Sequence, residues 1–200
     1  MFKNIIFDFG DIFINLDKQA PITEMKKWGL KEFEPEFTNL LYAYEKGLLD
    51  SDTFLSKMQD YFPTAKLDQI KKGWNSIILD FPEKRLEFIE QMANENEYTL
   101  ILLSNTNALH IEKVIENMGK DRFDRFKKCF DKFYLSHEIN LRKPNADIYQ
   151  FVLDANNLKA SETFFVDDTL ENTLASEQLG ITSWNLQVGK EDIVQLKSKL

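Results

Sequence analysis

Asn4-Ile5-Ile6-Phe7 is an apolar run rich in β-branched and aromatic side chains, and Asp8 follows it directly. Bounded by Gly10, the run is too short for a helix and reads as a buried strand with an acid at its carboxyl end. In an open α/β sheet, ligands bind outside the carboxyl ends of the strands. Asp8 therefore has two readings at this point. It is a nucleophile or metal ligand, or it is a turn-forming acid that bonds its own backbone. The rest of the chain has to decide.

From Pro82 onward, strand patterns alternate with helix patterns. Residues 98–103, 132–135, 163–166 and 181–184 read as further strands. Helices are expected from Pro82 to about Asn94, Ala108 to Met118, Asn145 to about Asn156, Leu170 to Leu179 and Glu191 to Leu200. Such alternation predicts an α/β fold: a Rossmann-like parallel sheet with helices on both faces. Residues 18–81 break the pattern. Trp28, Phe33, Phe37, Leu40, Leu41 and Tyr44 recur at helical spacing, as do Phe54, Leu55, Met58 and Phe62, and no strand is evident. The expectation is a core of residues 1–17 and 82–200 with three or four helices inserted after the first strand, their apolar stripes forming a small core of their own. Gly47 reads as a helix C-cap, and one of Asp50, Ser51 or Asp52 as the next N-cap.

Charge and cysteine content narrow the function classes. A formal charge of −8 over 200 residues speaks against nucleic acid and anionic membranes, which want a basic face. No signal core and no run of about 18 apolar residues is seen. A cytoplasmic protein, monomeric or weakly homodimeric, with a small-molecule substrate is expected. Cys129 is the single cysteine, so an internal disulfide is excluded and a buried apolar role expected.

The strand ends carry the chemistry. The first ends in Asp8, the second in Ser104-Asn105, and a later one in Asp167-Asp168. A parallel sheet gathers such ends at one edge, and Lys143, after a short strand, is a candidate for the same edge. Three carboxylates so close repel one another unless a cation intervenes. An oxygen-only donor set suits Mg2+ rather than Zn2+. A nucleophilic carboxylate beside Mg2+ and a lysine is the composition needed for phosphoryl transfer through an aspartyl-phosphate.

Four segments carry a resemblance: Ile5-Ile6-Phe7-Asp8-Phe9-Gly10, Leu103-Ser104-Asn105-Thr106-Asn107, Arg142-Lys143-Pro144, and Phe165-Val166-Asp167-Asp168 with Asn172 beyond. In this order they span nearly the whole chain, which resembles the haloacid dehalogenase superfamily of hydrolases, in particular its sugar-phosphatase-like subgroup with a helical cap. The resemblance implies that Asp8 is nucleophile and metal ligand, with the Gly10 carbonyl as a second ligand. It implies phosphoryl hydrogen bonds from Ser104 and Asn105, and charge neutralisation by Lys143. Asp168 becomes the direct carboxylate ligand, with Asp167 behind it. Asn172 helps to hold Lys143 or a metal-bound water, and the helical insertion closes over the substrate as a cap.

One position departs from that pattern. The family's phosphatases usually carry a second aspartate, as general acid and base, where this chain has Gly10. Asp11 comes one residue late, and in an extended segment it faces away from Asp8. Asp11 is expected to be a surface or turn acid, reaching the site only if the chain turns sharply at Gly10. Three readings remain inside the family. A dehalogenase needs no leaving-group proton, but it has no use for Asp167 and Asp168. A phosphonate hydrolase needs a cap lysine, with Lys26, Lys27, Lys31, Lys46 and Lys57 available. A Mg2+-dependent phosphatase of small metabolites, sugar phosphates foremost, needs the acid less when the leaving oxygen is weakly basic. This last reading is preferred, with Glu45 as a candidate replacement acid. A non-catalytic phosphate- or partner-binding module is the rival from another class. His110 and His137 are expected on helix surfaces or near the site.

Overall fold

The computed structural model describes all 200 residues. Five parallel strands form one sheet: β1 (Asn4–Phe7), β2 (Thr99–Ser104), β3 (Lys132–Leu135), β4 (Thr163–Asp167) and β5 (Thr182–Asn185), in the order β3-β2-β1-β4-β5. The order reverses at β1, which pairs with both β2 and β4 and therefore lies at the centre. Its residues alternate between the sheet's two apolar layers. Ile5 and Phe7 enter the larger cluster, with Phe13, Leu86 and Phe126, while Ile6 enters a smaller one with Ile148, Val152 and Phe165. A strand buried on both faces confines polar residues to its ends, Asn4 at one and Asp8 just beyond the other, so Asp8 comes where β1 leaves the core.

Helices α1 (Ala20–Lys27), α2 (Pro35–Glu45), α3 (Ser51–Tyr61) and α4 (Leu67–Asn75) form the insertion between β1 and the next core helix, α5 (Glu83–Glu95). The segments into and out of it are bonded side by side: Asp17 N donates to Ile77 O and Leu79 N to Asn15 O, at 2.9 and 3.0 Å. The insertion has its own apolar cluster, in which Tyr44 stacks on Phe54 with centroids 4.0 Å apart. Asp50 caps α3 by accepting from Thr53 N. Gly47 follows α2 at φ +66°, where a Cβ would lie 2.0 Å from the His137 carbonyl oxygen, so a close backbone crossing also demands glycine here.

The rest of the core comprises α6 (Ala108–Met118), α7 (Lys120–Lys128), α8 (Ser136–Ile139), α9 (Ala146–Ala155) and α10 (Leu170–Glu177). Four elements differ from expectation, the short α8 being one that no expected helix covers. Helix α7 has no counterpart among the expected helices, because its charged sequence hides the two buried side chains, Phe123 and Phe126, that anchor it. The last helix is a 3-10 segment over Ile193–Ser198, capped by Asp192. Pro82 is the N-cap of α5 rather than its first residue. No helix is long and apolar enough to cross a membrane.

Candidate active site

The carboxyl edge of the sheet brings together Asp8 after β1, Ser104 and Asn105 at the end of β2, and Asp167 and Asp168 at the end of β4. One ligand oxygen each from Asp8, Asp167 and Asp168 lies within 4.8 Å of the others. Lys143 reaches the same place from the loop before α9 and is almost wholly buried. Its ammonium donates to Asp8 Oδ1 at 2.7 Å, Asp167 Oδ2 at 2.7 Å and Leu103 O at 2.8 Å. All three protons of the ammonium are thereby placed.

The two adjacent aspartates differ in how much of their binding capacity is taken. Asp167 accepts from Thr169 N, Asn172 Nδ2 and Lys143 Nζ. Asn172 therefore acts on Asp167, and on Lys143 only through it. The Asp168 carboxylate meets Lys18 alone. Asn105 is likewise occupied. Its Nδ2 donates to Lys143 O at 2.9 Å and its Oδ1 accepts from Lys143 N at 3.0 Å, so the carboxamide fixes the lysine's backbone. Ser104 is buried at the end of β2.

Electrostatics follow from this crowding. Burial pushes the Asp8 carboxyl up to about 7, with Lys143 opposing and Asp167 and Asp168 adding to the rise. Burial also raises Asp168, against Lys18. For Lys143 burial works towards the neutral form, but Asp167 and Asp8 outweigh it and hold the ammonium above its usual range. The site is short of positive charge. Clustered carboxylate oxygens, one of them otherwise bound only to a half-exposed lysine, are the donor set of a hard divalent cation, and the residues fit Mg2+.

A cavity of about 490 Å³ opens over this edge, lined by Asp8, Gly10, Asn105, Lys143 and Asp168 from the core and by Tyr42 and Glu45 from α2. A second cavity of about 560 Å³ lies between α2 and α3, away from the acidic cluster. Glu45 is paired with Arg142 at 2.6 Å, and the Arg142 guanidinium sits 3.9 Å over the Tyr42 ring while donating to Lys143 O. The end of α2 is pinned to α8: Ser136 Oγ donates to Glu45 O at 2.6 Å and Asn140 Nδ2 to Lys46 O at 2.7 Å.

A Cβ at Gly10 would lie 2.7 Å from Leu16 Cδ1, so an apolar side chain crowds the place where a second acid would begin. Asp11 takes φ +56° and is buried rather than on the surface. It accepts from Leu16 N at 3.0 Å and pairs with Lys18 at 3.0 Å, as a turn acid outside the cavity wall. His110 is not on a helix surface either. It stacks on Trp74 across the seam between α4 and α6, and burial lowers it to about 4. His137 is half-buried, its Nδ1 without a partner. None of Lys26, Lys27, Lys31, Lys46 and Lys57 lines the cavity over the sheet edge. Sequence reasoning misses Lys18, Tyr42 and the role of Arg142. Only Arg142 has a signal, its adjacency to Lys143.

Residues 5–186 match the family model described as haloacid dehalogenase-like (HAD-like) hydrolase. The D-ribitol-5-phosphate phosphatase of Bacteroides thetaiotaomicron is 25% identical over 197 residues, which are 96% of this chain and 95% of that protein. A solved structure of a HAD family enzyme from Bacteroides thetaiotaomicron, in complex with magnesium and inorganic phosphate, is similar at TM-score 0.83 and 30% identity, covering 96% of this chain and 97% of that one. A predicted HAD-like hydrolase from Porphyromonas gingivalis shares the fold, at TM-score 0.82 and 24% identity over 100% of this chain and 98% of that one.

Proposed function

The chain belongs to the haloacid dehalogenase-like hydrolases, and from that premise we propose that it is a Mg2+-dependent phosphomonoesterase acting on small phosphorylated sugars or sugar alcohols. The observation that carries the reading is the Asp8–Lys143–Asp167 chain beside the otherwise uncommitted Asp168. The similarity to a D-ribitol-5-phosphate phosphatase supports the substrate class. Residues 18–81 serve as the cap over the core of residues 1–17 and 82–200.

Asp8 attacks phosphorus in line and becomes an aspartyl-phosphate, which water then hydrolyses. Lys143 holds the attacking carboxylate in place and offsets charge on the transferring group. Asn105 positions that lysine through its backbone, and Ser104, buried at the end of β2, is the candidate hydroxyl donor to the phosphoryl group from that strand end. Asp8, Asp168 and the Gly10 carbonyl would hold Mg2+, which supplies positive charge to the phosphoryl oxygens when bound.

Protonation of the leaving group is the altered part. With Leu16 crowding Gly10, no acid stands two residues after the nucleophile. Rates should therefore depend steeply on leaving-group basicity, with aryl and anomeric sugar phosphates turned over faster than a primary alkyl phosphate. Glu45, on the cavity wall, is the candidate donor: once its pair with Arg142 opens it would take a proton from solvent and pass it to the leaving oxygen. The decisive test is phosphate release from an aryl phosphate and a panel of sugar phosphates. D8N and addition of a chelator should each abolish it, and full activity in either case overturns the mechanism. Phosphate binding without turnover under every divalent metal would instead favour a binding module.

A further inference from the structure

Lys18 has no part in the chemistry above, yet its ammonium lies inside the site. It donates to Asp168 Oδ2 and stands 3.0 Å from Asp11 Oδ2, its side chain half exposed and both carboxylates nearly buried. The lysine also lines the catalytic cavity. Its two partners are held very differently. Asp11 is locked in a tight turn, with its other oxygen accepting from Leu16 N. The Asp168 carboxylate has Lys18 and nothing else. The backbone around Lys18 is anchored as well, because Asp17 accepts from Gln19 N and Ala20 N at the start of α1. A long flexible stem on a fixed base, between one fixed and one free carboxylate, can swing without disturbing the fold.

The charge count points the same way. Asp8, Asp11, Asp167 and Asp168 face only two ammonium groups, Lys143 and Lys18. Two negative charges are left over, the charge of one divalent cation. Lys143 is buried with all its donors used, so it is the fixed cation of the pair. Lys18 is the cation that can move.

We propose that Lys18 is a tethered counter-cation that exchanges with the divalent cation at Asp168, withdrawing onto Asp11 when the metal is bound. This rests on the reading of Asp8 and Asp168 as Mg2+ ligands. It also explains the buried Asp11, which keeps the displaced ammonium close to the site. In the metal-free protein, Lys18 neutralises an otherwise bare buried carboxylate. Bound metal must first break that ion pair, so Lys18 lowers Mg2+ affinity, whereas a lysine that merely positioned Asp168 would raise it.

Calorimetric titration of the whole protein with MgCl2 separates the two. K18M should bind Mg2+ about two- to fivefold more tightly than wild type, the scale of one partly exposed ion pair. K18R keeps the charge and should stay near wild type. D11N removes the withdrawal site and should weaken binding about fivefold in the wild-type background and clearly less in K18M, a coupling that simple loss of a distant negative charge does not produce. Equal or weaker Mg2+ binding by K18M than by wild type, with both folded by circular dichroism, overturns the exchange. So does an equal effect of D11N in both backgrounds. Absence of Mg2+ binding in wild type and K18M alike overturns the metal reading itself, and the exchange with it.

Discussion

At the carboxyl edge of the sheet, Asp8, Asp167 and Lys143 are buried charges held by strand ends, backbone amides and one another. In the insertion, Tyr44, Phe54 and Trp74 pack into an apolar cluster, and of its helical residues only Tyr42 and Glu45 extend into the cavity. The first region uses its sequence to place charge; the second uses it to make a scaffold that carries two contacts. On the proposed reading, chemistry and selection are thus built from different materials: the residues proposed for the chemistry sit where the sheet leaves no freedom, and those proposed for selection sit on a helix whose end is pinned to α8.

Under this division, substitutions in the two regions fail in different ways. The largest effect should come from Lys143→Met. It leaves Asp8 and Asp167 buried without their cation and should cost about 3–5 kcal/mol of stability. At temperatures where the variant is folded, it should lower kcat about a thousandfold for every substrate, measured by phosphate release. A loss confined to some substrates would break the comparison. Glu45→Gln should act next. It should change kcat/KM by about tenfold, unequally across a panel of aryl, sugar and sugar-alcohol phosphates, with the largest loss on the most basic leaving groups. A uniform loss would move Glu45 into the common machinery, and no change at all would remove it as the proton donor.

The smallest effect concerns the seam. His110 is held at about 4, below its ordinary value, so the folded protein keeps it neutral where the unfolded chain takes up a proton. Its contribution to stability is full above about pH 6.5 and is lost as the pH falls towards about 4. Between about pH 7 and 4.5, the Tm of wild type should fall about 5 °C more than that of His110→Gln. Parallel curves would mean that the seam carries no such penalty.

Legibility follows the same division. The strand ends can be read because a short apolar run that stops at Asp or Ser-Asn has few alternatives, and the five strands pair near the expected residues. Helices α2 and α3 can also be read from spacing, but Trp28 and Phe33 of the same stripe fall between α1 and α2, outside any helix. What escapes is direction. Glu45 stands out in the sequence, but its pairing with Arg142 across nearly a hundred residues has no local signature. Lys18 looks like the first residue of a surface insertion, and only the fold brings it to Asp168. Asp11 does sit at a turn, as its place after Gly10 suggests, but its burial and its bond from Leu16 N have no local signature. Helix α7 escapes because seven polar residues outweigh two phenylalanines in any reading of periodicity.

Leu109 belongs to core helix α6 yet completes the apolar cluster of the insertion, and its amide donates to the Tyr44 hydroxyl. For anyone exchanging such insertions between related scaffolds, the unit of transfer is therefore larger than the inserted sequence. A graft of residues 18–81 alone would arrive with a hole in its packing and with the Tyr44 hydroxyl bonded only to Ser51. Moving the first turn of α6 along with it would carry the missing piece.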